Sequence, residues 1–120
     1  MLVLKNESIK LESKSTKEML TEERKVFFDD NISKAYAFLR GYELRFAGNQ
    51  DHEIAEIIVK VDVKNEHIDG KEVDIKVSLA IRDKKSFSGG LFDDRYEGTV
   101  YFTVLGLLQG RIKEMTMKFE

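Results

Sequence analysis

Apolar and polar residues alternate strictly on both sides of Asp69-Gly70. Before it, Ile57, Val59, Val61 and Val63 are separated by Ile58, Lys60 and Asp62. After it, Val73, Ile75, Val77, Leu79 and Ile81 are separated by Asp74, Lys76, Ser78 and Ala80. A period of two places alternate side chains on opposite faces of a strand, so the pattern predicts a half-buried β-hairpin. Its register follows from the faces. A two-residue Asp-Gly loop would set Val63 opposite Lys76, apolar against polar on one face. A three-residue loop, Ile68-Asp69-Gly70, pairs Val63 with Ile75, Val61 with Val77, Val59 with Leu79 and Ile57 with Ile81. Gly70 then takes the left-handed position of a type I turn with a G1 bulge. The predicted core is these eight residues, with Ile58 and Ala80 left as apolar positions on the opposite face.

The rest of the chain repeats the theme. Residues 2–12 read as a strand with Val3, Ile9 and Leu11 on one face. Ser15 and Glu18 have capping-box spacing before Met19 and Leu20, which allows one short helix in 13–23. Residues 24–28 form a short strand and Asp29-Asp30-Asn31 a turn. Segment 32–47 carries two patterns. Ile32, Ala35, Tyr36 and Leu39 have helical spacing, whereas Tyr42, Leu44 and Phe46 alternate. One long strand bent at Gly41 is the favoured reading, with a helix over 32–40 the alternative. Tyr96, Gly98, Val100, Phe102 and Val104 share a face of a further strand, Gly106 to Gly110 forms a turn, and Met115, Met117 and Phe119 close the chain. About seven strands with short connections predict an all-β, single-domain antiparallel β-sandwich, with a partly open barrel the alternative.

Composition narrows the function classes. The chain has 120 residues, no cysteine, no proline and a net charge of -2. Disulfide and thiol chemistry are excluded, and the absence of cysteine fits a reducing compartment. A mildly acidic balance disfavours nucleic acid as a partner. Neither a signal-peptide pattern nor an apolar run of transmembrane length is present, so the expectation is a cytoplasmic protein with no membrane partner, although release or a particle-associated form is compatible.

Candidate chemistry is sparse. No nucleophile elbow, P-loop, Cys/His metal spacing or dinucleotide fingerprint occurs, so no catalytic residue and no cofactor is expected. Of the two histidines, His67 flanks the hairpin loop as a turn residue. His52 lies between Asp51 and Glu53, where a general base or metal ligand is conceivable, but neighbours on a strand point to opposite faces. Asp83, Asp93 and Asp94 bracket the longest connection, Asp83 to Arg95, and are weak candidates for calcium. That loop is the main functional candidate. Phe87, Leu91 and Phe92 surround Ser88-Gly89-Gly90, and Asp93, Asp94, Arg95 and Tyr96 follow. Large apolar residues on a long loop suit a surface buried by a partner, or a plug for one end of the sandwich.

Val26-Phe27-Phe28, then Gly41-Tyr42-Glu43-Leu44, the alternating hairpin, and Tyr96-Glu97-Gly98-Thr99-Val100-Tyr101-Phe102 follow one another in an order that resembles the small β-sandwich of H-type lectins and related phage-tail domains. The likeness runs from Val26 to Leu105 and is one of pattern, with no sugar-binding motif matched. It implies a trimeric or hexameric assembly and an N-acetylgalactosamine ligand. The expected function is a non-catalytic binding or assembly module, a homo-oligomer with a protein or carbohydrate partner. The alternatives are a small effector or inhibitor presenting the 83–95 loop, and a metal-dependent enzyme using Asp51, His52 and the loop carboxylates.

Overall fold

The computed structural model describes residues 2–12, 19–46, 54–65, 67–83, 96–108 and 117–120. Every element among them is a strand: β1 (Leu2–Glu12), β2 (Leu20–Phe46), β3 (Ile54–Val63), β4 (His67–Asp83), β5 (Tyr96–Leu108) and β6 (Met117–Phe119). They form one sheet in the order β3-β4-β2-β5-β1-β6. The first five strands in that order pair antiparallel, and β6 runs parallel to the start of β1. The all-β expectation holds. The described strands form a single sheet of six, where a sandwich of about seven was expected.

The difference lies in β2. The separate strand 24–28, turn 29–31 and strand 32–47 are one continuous element. Its first arm, residues 20–28, pairs with β4, and its second arm, residues 32–46, pairs with β5. Leu20, Val26 and Phe28 all turn toward the core, a period of two that a helix through 20–23 would break. The helix allowed over 13–23 is therefore overturned at residues 20–23, and 13–18 lie outside the described residues. The helical alternative over 32–40 is likewise replaced by strand. Between the arms, β2 advances from Phe27 to Ile32 while β4 moves only from Glu72 to Gly70. The surplus residues include exposed Asp29, Asp30 and Asn31, so the expected turn becomes a bulge that bends the sheet. Gly70 faces this bend with φ at +147°, a conformation that glycine adopts without a side-chain clash. A second irregularity falls between Leu39 and Gly41, where a bulge was expected.

The hairpin register is the expected one, from Ile57↔Ile81 to Val63↔Ile75. Its loop is not. Lys64 N–H still donates to the Asp74 carbonyl at 2.8 Å, and the Asn65 side-chain oxygen accepts from the Asp74 N–H at 2.9 Å. The chain then leaves β3, and residues 67–70 pair with the bend of β2. Ile68 is 5% exposed, so it is spent on the core and cannot sit at the tip of a tight turn. His67 accordingly belongs to a strand, opposite Lys34, and not to a turn. Similarly, Gly106 does not open a turn. It pairs with Val3 and Ala35 inside β5.

The bend brings β4 and β5, which are not sheet neighbours, face to face. Tyr96 Oη on β5 donates to the Leu79 carbonyl on β4 at 3.1 Å. A Cβ on Gly98 would lie 2.9 Å from Leu79 Cδ2, and one on Gly106 would lie 2.8 Å from Ile32 Cδ1. Between these faces lies the core: Val73, Ile75, Val77, Leu79 and Ile81 on β4, and Tyr96, Val100, Phe102 and Val104 on β5, with Val3, Ile9 and Leu11 from β1.

Candidate interaction surface

Folding one sheet over leaves two long sides where its halves meet without a shared ladder. On the first side, β1 approaches the first arm of β2, and polar groups bridge the gap. Lys5 Nζ donates to the Phe27 carbonyl, and Arg24 donates to the Ser8 carbonyl while lying 3.9 Å from the Glu7 carboxylate. Arg24 pairs with Ile75, so it stands on the inward side of an edge, where a charge deters further strand pairing. Arg40, the residue set out by the bulge before Gly41, donates to the Phe102 and Glu7 carbonyls at 3.4 Å each.

The second side differs in chemistry. Here β3 is the outermost strand of one half, and the second arm of β2 borders the other. Cross-strand partners share a face of a sheet. Ile57 pairs with buried Ile81, Leu39 with buried Phe102 and Tyr42 with buried Val100. All three therefore point toward the core side. Yet Ile57 is 40% exposed, Leu39 44% and Tyr42 46%. Val59, Val61 and Val63, predicted as core, are only partly buried for the same reason, while their β4 partners are fully covered. The side is an open apolar seam. It narrows to a groove of about 350 Å³ between residues 34–38 of β2 and 61–63 of β3.

A second apolar surface lies on the outward face of the other half. The register aligns Tyr36 with Leu105, Leu105 with Leu4, and Leu4 with Phe119, a row across four strands. Phe38 stands beside Tyr36 on the same face, and Tyr36 carries Lys34 Nζ 5.3 Å from its ring centre. Phe38 and Phe119 are among the most exposed large apolar residues described.

The residues singled out from sequence fare unevenly. Phe87, Leu91, Phe92, Asp93, Asp94 and Arg95 lie outside the described residues, as do Asp51, His52 and Glu53. Asp83 is placed by its backbone at the end of β4, opposite Ile54. Tyr96 is described and is 1% exposed, with its hydroxyl bonded inside the fold. Burial pushes its phenol pKa up. That environment removes it from any contact surface. Among the described residues, no three His, Asp or Glu side chains gather as a metal-holding group. Ser78 and Ala80 are buried on the outward side of β4, with the Thr21 and Ser78 hydroxyls 3.4 Å apart and Ala80 opposite Ile58. Sequence reading missed Leu39 as a surface residue. Its register with Phe102 marks it as core, and only the open side of the bent sheet exposes it.

No family model, no curated protein and no solved structure matches this chain. No helix among the described residues is long and apolar enough to cross a membrane.

Proposed function

We propose that this protein is a non-catalytic binding or assembly module that associates with copies of itself. The observation that carries the reading is the open seam: Ile57, Leu39 and Tyr42 have core parity but stand in solvent. Apolar area left exposed in register with a core is favourable to cover, at about 25 cal/mol per Å². The bent sheet is read as a sandwich open along that side. The likeness to H-type lectins and phage-tail sandwiches points the same way, because those domains work as symmetric oligomers. A carbohydrate or protein ligand, and a cytoplasmic or particle-associated setting, belong to the same reading. Sedimentation equilibrium across a wide concentration range tests it. A reversible oligomer is expected, and a monomer at all concentrations would end the proposal.

A further inference from the structure

Resting on that reading, we propose that β3 pairs antiparallel with β3 of a second copy about a two-fold axis at Ile58, continuing the sheet from one protomer into the next. Three observations select the partner and the register. The first is the direction of the free backbone groups. Lys64 N–H donates to the Asp74 carbonyl, and the register runs unbroken from Glu56 to Val63, so the even-numbered residues from Glu56 to Asp62 turn their backbone groups to β4. Antiparallel ladders alternate, which turns the groups of Ile57 and Val59 to the outer edge. Centring the axis on Ile58 sets Ile57 opposite Val59 of the second copy, and both exchange N–H···O=C bonds.

The second observation is charge. That register sets Glu56 opposite Lys60 of the second copy, and Lys60 opposite its Glu56, with Ile58 meeting its own copy between them. Opposite charges directly across a ladder stabilise it and like charges destabilise it. A shift to an axis at Val59 opposes Glu56 to Asp62, and an axis at Lys60 opposes two lysines. An axis at Val61 also matches charges, Lys60 with Asp62, but it sets Ile58 against Lys64, apolar against charged.

The third is the seam. Ile57 from one half and Leu39 and Tyr42 from the other are exposed together, so full cover requires an object that continues both halves. A second copy related by the two-fold axis presents the same two apolar edges, whereas a single added strand extends only one. The interface is isologous and closes at the dimer, not at the trimer or hexamer that the lectin likeness implies.

The chain contains no cysteine, so Ile58→Cys carries a single thiol. Residues facing each other in a non-hydrogen-bonded antiparallel pair have Cα atoms about 4.5 Å apart, within disulfide range. Mild oxidation is expected to convert I58C to a covalent dimer, with K60C as the out-of-register control remaining uncrosslinked. Independently, E56K and K60E are each expected to weaken dimerisation about tenfold or more, since symmetry counts each pair twice. The double swap E56K/K60E should restore the affinity to within a few-fold, a result that a folding defect would not give. A wild-type monomer would overturn this pairing and the self-association reading together. An oligomer that survives both single swaps, or that crosslinks at K60C and not at I58C, would overturn the β3 pairing and leave self-association standing. Loss of the oligomer on changing Phe38 and Leu105, with no effect of the β3 swaps, would do the same by moving the contact to the outward face.

Discussion

Two glycines on β5 show how single positions hold the folded sheet closed. A Cβ on Gly98 would meet Leu44 Cδ2 at 2.5 Å, the Glu43 carbonyl oxygen at 2.6 Å and Leu79 Cδ2 at 2.9 Å. One on Gly106 would meet only side-chain atoms, of Ile32 and Phe28. Backbone yields less than a side chain, so Gly98→Ala is expected to cost more than Gly106→Ala, within about 1–3 kcal/mol for overpacking. Urea denaturation of the two variants ranks them. The alternation of residues 96–104 placed Gly98 on the buried face. It gave no hint of Leu79, because β4 and β5 are separated by β2 in the sheet and meet only through the bend. A second prediction concerns Glu23 and Lys64, 2.7 Å apart on the surface. The hydrogen bond and charge of Lys64 hold the Glu23 pKa below its ordinary value, and those of Glu23 raise that of Lys64. The depressed carboxyl contributes stability above its unfolded pKa, lost as pH falls through the folded one. The raised ammonium contributes stability below its unfolded pKa, lost as pH rises through the folded one. Glu23→Gln should therefore lower the urea midpoint slightly at pH 7 and match the wild type in acid, and added salt should shrink the difference.

At the level of elements, β3 and β4 carry nearly identical alternation and end in different environments. Their register was legible because shifting it by one residue would turn every valine outward. Their depth was not, because a period of two says which face is apolar and nothing about how many strands flank it. Strand β4 has neighbours on both sides and its inward residues are fully buried. Strand β3 is an edge, and Ile57 remains substantially exposed. Leu79→Ala is expected to cost about 2–5 kcal/mol, whereas Ile57→Ala should cost well under half of that at concentrations where the chain is monomeric. Chemical denaturation at low protein concentration checks the contrast. Repeating it at high concentration should widen the Ile57→Ala deficit if the seam is covered by a second copy, because association adds stability by mass action. Strand β2 was read in pieces for a related reason. Asp29-Asp30-Asn31 has turn chemistry, and whether such a tripeptide ends a strand or bulges out of one depends on strands that pair with it from elsewhere. Here Ile32 pairs with Gly70 on one side and Leu108 on the other, which carries the ladder through.

For the molecule as a whole, strand direction decides what shape a dimer takes. The body measures 56 × 21 × 20 Å, and its radius of gyration of 17.5 Å exceeds the roughly 14 Å of a compact chain of this length. The 13 residues of β5 span about 43 Å at 3.3 Å each, so the strands run along the long axis. Edge pairing through β3 therefore sets two bodies side by side. It widens the particle along one short dimension and adds little to its length beyond any stagger. Contact through the outward row of Tyr36, Leu105, Leu4 and Phe119 would instead stack the bodies face to face and leave both seams in water. Small-angle scattering of the associated protein should return a maximum dimension well below twice the 56 Å length in either case, so shape alone does not separate them. An apolar fluorescent probe does. On side-by-side pairing, the signal should fall as concentration drives association and the seam closes. The residual signal should then drop on Phe38→Ser with no change in sedimentation. A signal that falls on association and is then unmoved by Phe38→Ser, or a Phe38→Ser chain that no longer associates, would place the contact on the outward face and leave the seam open.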